Sequence, residues 1–294
     1  MELQSRAKEL QEQGLGLAVI SYDAAEVLDA FSRQHGITFP LLSDPGSATI
    51  KRYGILNPVP EMALGPNASD PAVRAEVQKY VSVVNPNARM IGIAFPGTFM
   101  LDRQGRVTSR FFEELYIERN TVSSLMLKLG VGTAPVNATK ISTAHLEATT
   151  YPSDAAIAPG NRITLTLDIV PRSGMHVYAP GASGYRVIAL DVEPQPFVRA
   201  LPTTYPSSEI YFFAPLKERV PVFQKPFKLL RDVVIEGTPQ AQAALKGKDS
   251  ITITGRLEYQ ACDDKVCFNP ASLPLTWTMS LRPLIRERPS APQR

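Results

Sequence analysis

The run Ile251-Thr-Ile-Thr-Gly-Arg-Leu-Glu-Tyr259, continued by Gln260-Ala-Cys262-Asp-Asp-Lys-Val-Cys267, decides how the carboxy-terminal half of this 294-residue chain folds. Apolar residues at 251, 253, 257 and 259 alternate with polar ones, the period of a strand with one face buried and the other in water. A β-strand therefore delivers Cys262 at its end, and Cys267 opens the approach to a second strand at 273–281. The chain has two cysteines in all. A pair separated by four residues cannot complete a tetrahedral metal shell, and none of His35, His145 and His176 lies near it in sequence, so neither a metal nor a cofactor is expected.

Outward from this stretch, further strands are read at 163–170, 186–192 and 233–236. Proline and glycine cluster between them at Pro152, Pro159-Gly160, Pro180-Gly181 and Pro194 to Pro196. That is the punctuation of an antiparallel β-sandwich, here spanning 140–284 and free of helical periodicity, with 285–294 expected as a disordered tail. Upstream the rhythm differs. Helices are expected at 2–13, from a cap at Asp23 to Gly36, and from Asp44 and Pro45 to Gly54. In the second of these, Val27, Leu28 and Phe31 share a face. Strands are expected at 15–21 and 39–42, the start of an α/β domain covering 1–133. Prolines at 58, 60 and 66 break the alternation as an insertion, followed by a helix capped by Asp70 that runs from Pro71 to Val81. Strand-like stretches follow at 90–95 and 98–102. A tight turn at Asp102-Arg-Gln-Gly105 then closes a hairpin with 106–112. A last helix with Val122, Leu125, Met126 and Leu129 on one face leads to a linker at 132–138.

Composition excludes several roles. Hydrophobic residues make up 44% and charged residues 20% of the chain, as in ordinary globular proteins. The net charge of +3 comes from scattered lysines and arginines, so nucleic acid is not an expected partner. No apolar run reaches the ~18 residues of a membrane span. The amino terminus carries no basic-then-apolar signal segment. The charged run Arg106, Arg110, Glu113, Glu114 and Arg119 reads as a solvated face.

Two resemblances add to this reading. Leu17-Ala-Val-Ile-Ser-Tyr-Asp23, Phe39-Pro-Leu-Leu-Ser-Asp-Pro-Gly46, Arg52-Tyr-Gly-Ile-Leu56 and Pro96-Gly-Thr-Phe-Met-Leu-Asp102 resemble the redoxin family of peroxiredoxin-type thioredoxin folds. In that family a central strand and the redox cysteine precede the segment that resembles Glu2-Leu-Gln4. Both are missing here, which implies a truncated start and two unpaired sheet edges. Pro96 matches the cis-proline position of the family. Residues 1–130 hold no cysteine, so no peroxidase activity is expected of this half. The second half resembles the periplasmic amino-terminal domain of DsbD through Gly174-Met-His-Val-Tyr-Ala-Pro180, Ser208-Glu-Ile-Tyr211, Tyr259-Gln-Ala-Cys262 and Cys267-Phe-Asn-Pro270. It has one residue fewer between the cysteines. The resemblance implies an immunoglobulin-like sandwich in the bacterial periplasm that exchanges disulfides with thioredoxin-like proteins. It also implies that Cys267 faces the partner and Cys262 resolves the mixed disulfide. An aromatic cap would cover the pair, and Tyr211, Phe212 and Phe213 are its candidates.

The pair's chemistry follows from thiol physics. A disulfide across so small a loop stabilises by roughly 2 kcal/mol on the chain-entropy model, against about 4.7 for a 100-residue loop, so stapling is a weak reason for it. Both sulfurs are expected at a domain edge within reach of a partner. Asp263 and Asp264 disfavour thiolate and Lys265 favours it, which leaves neither sulfur activated. Such a pair suits attack by another protein's low-pKa thiolate. Two other readings stay open: a fragment of a peroxiredoxin-like peroxidase fused to an electron-delivery module, and a non-enzymatic scaffold with a structural disulfide. His176 and Tyr178 fall in the DsbD-like motif, and a histidine on a strand is read as a hydrogen-bonded structural residue.

Overall fold

The structure, a computed structural model, describes residues 2–81, 85–112, 118–131, 134–213 and 217–282. The chain divides into two compact units, 1–122 and 123–294.

The first unit is α/β. Its helices are α1 (Glu2–Glu12), α2 (Ala25–His35), α3 (Ala48–Arg52), α4 (Val59–Leu64) and α5 (Pro71–Val81), and its strands are β1 (Val19–Ser21), β2 (Leu41–Ser43), β3 (Gly97–Leu101), β4 (Val107–Phe112) and the two-residue β5 (Arg119–Asn120). β1 pairs with β2 in parallel and β3 with β4 antiparallel, and no ladder joins the two pairs among the described residues.

Local chemistry differs from the sequence expectation at several ends. Ala24, not Asp23, is the N-cap of α2, because the Asp23 carboxylate instead accepts the Ser21 hydroxyl. α3 starts three residues beyond Pro45, but Asp44 still serves it: its carboxylate accepts the Thr49 and Ile50 amides at 3.1 and 2.9 Å. Those bonds hold the Asp44 carboxyl below the usual carboxylate range. Asp70 caps α5 as expected, accepting the Ala72 amide at 2.7 Å. The proline-rich insertion contains a helix, α4: its N-cap is Pro58, the preceding buried Asn57 accepts the Val59 amide, and Pro60 suits a first turn. The stretch 90–95 is not a strand; it makes one isolated bridge, Leu56 to Ala94. Of the shared face on α2, Leu28 is buried whereas Val27 and Phe31 stay exposed. No cis peptide occurs among the described residues, so Pro96 does not take the family's cis form. The trans isomer is the ground state of an X–Pro bond by about 0.5–1 kcal/mol unless packing overrides it.

The second unit is a β-sandwich. Its elements are α6 (Val122–Lys128), β6 (Thr139–Ser142), β7 (Leu146–Pro152), β8 (Ala156–Ile157), β9 (Asn161–Pro171), β10 (His176–Tyr178), β11 (Ala189–Val192), β12 (Val198–Thr204), β13 (Glu209–Phe213), β14 (Glu218–Phe223), β15 (Phe227–Ile235), α7 (Pro239–Leu245), β16 (Ser250–Tyr259), β17 (Ala261–Cys262) and β18 (Ala271–Leu281). One sheet runs β12-β15-β9-β7-β6, a second β11-β16-β18-β8, and a third β13-β14-β10-β17. The strand that opened the sequence reading, β16, lies between β11 and β18. Its Ile251, Ile253, Leu257 and Tyr259 are buried on one face, as the alternation requires. They join one core with Leu165, Leu167, Leu229, Val233 and Trp277.

Two features depart from an all-β expectation. α7 forms where Thr238 accepts the Ala241 amide and Pro239 occupies the first turn, and it buries Ala241 and Leu245. α6, expected to close the first domain, falls almost wholly in the sandwich unit. Thr164 donates to Asp232, which leaves Ser124 to donate to Thr164, and Lys128 pairs with Asp232 at 2.6 Å. The expected tail 285–294 lies outside the described residues.

Candidate functional site

The cysteines meet at the end of the third sheet. β10 sits between β14 and β17, with His176 opposite Cys262, Val177 opposite both Ala261 and Phe223, and Tyr178 opposite Val222. Strand alternation then sorts the side chains. Val177, Ala261 and Phe223 point into the main core, whereas Tyr178, Val220, Val222 and Cys262 form a small cluster on the other face. Tyr211, on the neighbouring β13, packs against that cluster.

Cys262 and Cys267 are joined as a disulfide. The loop between them is tight. The Asp263 amide donates to the Val266 carbonyl, and the Asp263 carboxylate accepts the Lys265 and Val266 amides at 2.8 and 2.6 Å. Those amides hold the Asp263 carboxyl below its ordinary range. The base of the loop is latched by Gln260, which donates to the Phe268 carbonyl and accepts the Arg186 amide.

The two sulfurs are not equivalent. Both were expected to reach solvent, but Cys262 is 1% exposed, while Cys267 is exposed in a run with Asp264, Lys265 and Val266. Cys262 belongs to a strand whose site-facing residues are covered; Cys267 lies past the turn.

Above the buried sulfur lies a ring stack. The Tyr178 hydroxyl is 3.0 Å from Cys262 Sγ and 3.3 Å from Cys267 Sγ. A disulfide sulfur carries no proton, so the tyrosine is the donor in both contacts. Its ring stacks on Tyr185 at 4.0 Å, and the Tyr185 hydroxyl donates to Glu218 at 2.7 Å. Burial, then the neighbouring Tyr185 and Glu218, pushes the Tyr178 phenol well above its ordinary range, so it keeps its proton. Sequence reasoning missed this residue as part of the site. The signal was its place in the His176-Val-Tyr178 alternation, which puts both polar side chains on one face, but nothing in the sequence says which strand lies beside them.

His176 is 3% exposed, beside Cys262 and under Tyr211, whose ring centroid is 4.5 Å away. Burial lowers its pKa below the ordinary histidine value, with the Asp263 carboxylate acting weakly in the opposite direction. A base whose folded pKa lies below its unfolded value of about 6.5 binds more protons when unfolded, so its contribution rises with pH across the interval between the two. The stability of the sandwich should therefore fall as pH drops through about 6.5 and level off below the folded pKa. Urea midpoints at several pH values, compared with those of His176→Phe, check this: the variant should lose that part of the slope.

Of the three cap candidates the structure brings one to the pair. Tyr211 covers His176, Phe212 is turned outward at 52% exposure with the Arg219 guanidinium over its ring, and Phe213 is half-buried. Strand period explains the split, since neighbouring residues on β13 face opposite ways. Pro96 is in the other unit. No group of three or more potential metal ligands occurs among the described residues. No helix among them is long and apolar enough to cross a membrane.

Comparison with known proteins adds the following. Residues 1–110 match the AhpC/TSA family. Among solved structures the chain is similar to the N-terminal periplasmic domain of ScsB from Proteus mirabilis, at 13% identity and a TM-score of 0.35, covering 49% of this chain and 51% of that one. It thus spans about half of that ScsB chain. It is also similar to the N-terminal domain of DsbD from Neisseria meningitidis in its reduced form, at 14% identity and a TM-score of 0.26, covering 40% of this chain and 80% of that one. No curated protein matches the chain. The chain therefore joins a segment, residues 1–110, that matches the AhpC/TSA family to a β-sandwich that carries the Cys262–Cys267 disulfide.

Proposed function

We propose that this protein exchanges disulfides with thioredoxin-like partners through Cys262 and Cys267, with Cys267 the sulfur that a partner attacks and Cys262 the one that leaves and later resolves the mixed disulfide. The observation that carries the reading is the unequal exposure of the two residues: Cys267 is exposed and Cys262 is 1% exposed. In-line attack by a thiolate needs access to one sulfur and a place for the other to hold charge. The local charges do not activate either cysteine, so the partner supplies the low-pKa thiolate and specificity comes from docking. Exposed Val266 beside Cys267 offers an apolar contact for that docking. Tyr211 is the cap residue on this reading, since it already lies over the cluster that holds Cys262. The DsbD-like cysteine segment supports a bacterial periplasmic setting. The first unit takes no thiol step on this reading, because residues 1–130 hold no cysteine.

The test is equilibration with reduced thioredoxin followed by acid quenching. Reduced thioredoxin in excess should open the wild-type disulfide. Cys262→Ser, which keeps the exposed sulfur and removes the resolving one, should form a mixed disulfide through Cys267 when mixed instead with oxidised thioredoxin, the Cys267 thiolate opening the thioredoxin disulfide and one thioredoxin sulfur leaving as a thiol. A wild-type pair that stays closed, with a potential below about −300 mV, would make it a structural staple and end the proposal.

A further inference from the structure

We infer that the Tyr178 hydroxyl is a catalytic group of this exchange: it holds the negative charge on Cys262 Sγ when the disulfide opens. The inference rests on the assignment of Cys267 as the attacked sulfur. Its own support is geometric, because one hydroxyl lies within 3.0 Å of Cys262 Sγ and 3.3 Å of Cys267 Sγ. Among the described residues no other side-chain donor is recorded within hydrogen-bonding distance of either sulfur.

The reaction can be followed atom by atom. A partner thiolate attacks Cys267 Sγ; a bond forms between the two sulfurs, the Cys262–Cys267 bond breaks, and its electron pair goes to Cys262 Sγ. That sulfur lies in a site 1% exposed, where water does not solvate the new thiolate. Tyr178 replaces the missing water. Its O–H, shared between two neutral sulfurs before the attack, points wholly at one anionic sulfur afterwards, and hydrogen bonds to ionised groups are about twice as strong as neutral ones. The interaction is thus stronger once charge has developed than before, which is the condition for catalysis rather than mere binding. The proton stays on oxygen. In the reverse direction the same bond keeps Cys262 ionised and ready to attack the mixed disulfide.

The surroundings fit this role. The hydroxyl is aimed by the stack on Tyr185, which is itself tied to Glu218, and by the β10 register that sets Tyr178 one pleat from His176 and its neighbour Cys262. The Glu218 carboxylate takes its bond from Tyr185 and not from Tyr178. The Tyr178 hydroxyl also lies within hydrogen-bond reach of Tyr185, and its donor turns to Cys262 Sγ when charge develops there. Burial raises its pKa, so it remains a donor throughout the range in which thiols titrate.

Two measurements on the full chain test this. In the Cys267→Ser background Cys262 is the single thiol, and its ionisation can be read from thiolate absorbance. Adding Tyr178→Phe should move that midpoint up by about one pH unit, and placing 3-fluorotyrosine at position 178, a stronger donor of the same shape, should move it down. In the wild-type background Tyr178→Phe should slow opening by dithiothreitol and by reduced thioredoxin alike, by about tenfold. Loss of a leaving-group donor acts whatever the attacker. Unchanged midpoints in both position-178 replacements would overturn the inference, as would unchanged rates in Tyr178→Phe. If thioredoxin fails to open the wild-type pair while dithiothreitol opens it and Tyr178→Phe slows that step, the exchange function falls and the role of Tyr178 stands.

Discussion

Cys267→Ser should abolish disulfide exchange with a reduced thioredoxin-like protein, down to background, while the sandwich stays folded. The pair is the chain's whole complement of cysteine. With Cys267 gone no intramolecular disulfide can form, and the thiol that remains is 1% exposed beneath Tyr178 and Tyr211. A partner disulfide cannot reach it in line without displacing those rings. The cost to stability should be small, about 2 kcal/mol, because the closed loop is short and constrains the unfolded chain little. The bonds from Gln260 to Phe268 and Arg186 hold the base of the loop without help from the disulfide. Exchange is followed by the redox state of the partner, and folding by near-ultraviolet circular dichroism. Alkylation adds a test of polarity: the lone Cys267 of Cys262→Ser should react far faster with iodoacetamide than the lone Cys262 of Cys267→Ser. Equal rates would show that the polarity is wrongly assigned.

Trp277→Ala should cost the sandwich about 3–5 kcal/mol, the range for removing a fully buried large aromatic. Trp277 lies on β18 at 1% exposure, opposite Ile253 on β16, and its indole nitrogen donates to Thr150 Oγ1 at 2.8 Å. Thr150 is on β7, in the facing sheet, so the indole spans the space between the two sheets. The room for it is prepared by Gly255: a Cβ there would meet the indole at 3.0 Å and the Asp191 carbonyl oxygen at 2.3 Å. Truncation leaves a cavity that β-strands cannot collapse into without breaking their ladders. Thr150 still donates to the Thr166 carbonyl, so the loss is mainly packing and not an orphaned hydroxyl. Since domains are stable by only about 5–15 kcal/mol, the variant should be close to its folding threshold. Trp277 is the chain's one tryptophan, so its fluorescence reports unfolding of the sandwich in the wild type, and far-ultraviolet circular dichroism serves for the variant. Trimming exposed Val170 to alanine should change stability by under about 0.5 kcal/mol. A loss below 1 kcal/mol for Trp277→Ala would mean that the inter-sheet core is not organised around this ring.

The two strands that flank the cysteines were legible, whereas β15 was read only over 233–236. β16 and β18 were found to within two residues because ten or so residues of alternation outweigh local accidents, and the Pro71–Val81 helix because Asp70 and Pro71 mark its start unambiguously. The seven-residue β7 and β12 were not read, and neither were several short elements. β10 has three residues and β17 two, too few for any period to appear, and their pairing partners lie far along the chain. α4 was hidden by prolines that break a helix interior but suit a first turn. α6 was given to the wrong side of the linker because its apolar face is visible in sequence, whereas the Ser124, Thr164 and Asp232 chain that seats it is not.

What the sequence determined by itself was the composition of the two halves, α/β then all-β, and which two residues can form a disulfide, because hydrophobic period and cysteine count are local properties of the chain. The tertiary structure alone decided which sulfur is open and which group serves the buried one. Tyr178 stands 84 residues before Cys262 and reaches it only through strand register, which pairs His176 with Cys262 and sets the tyrosine on the same face. Register depends on the packing of every strand in the sheet at once, and a slip of one residue would turn Tyr178 into the core and leave the sulfur without its donor.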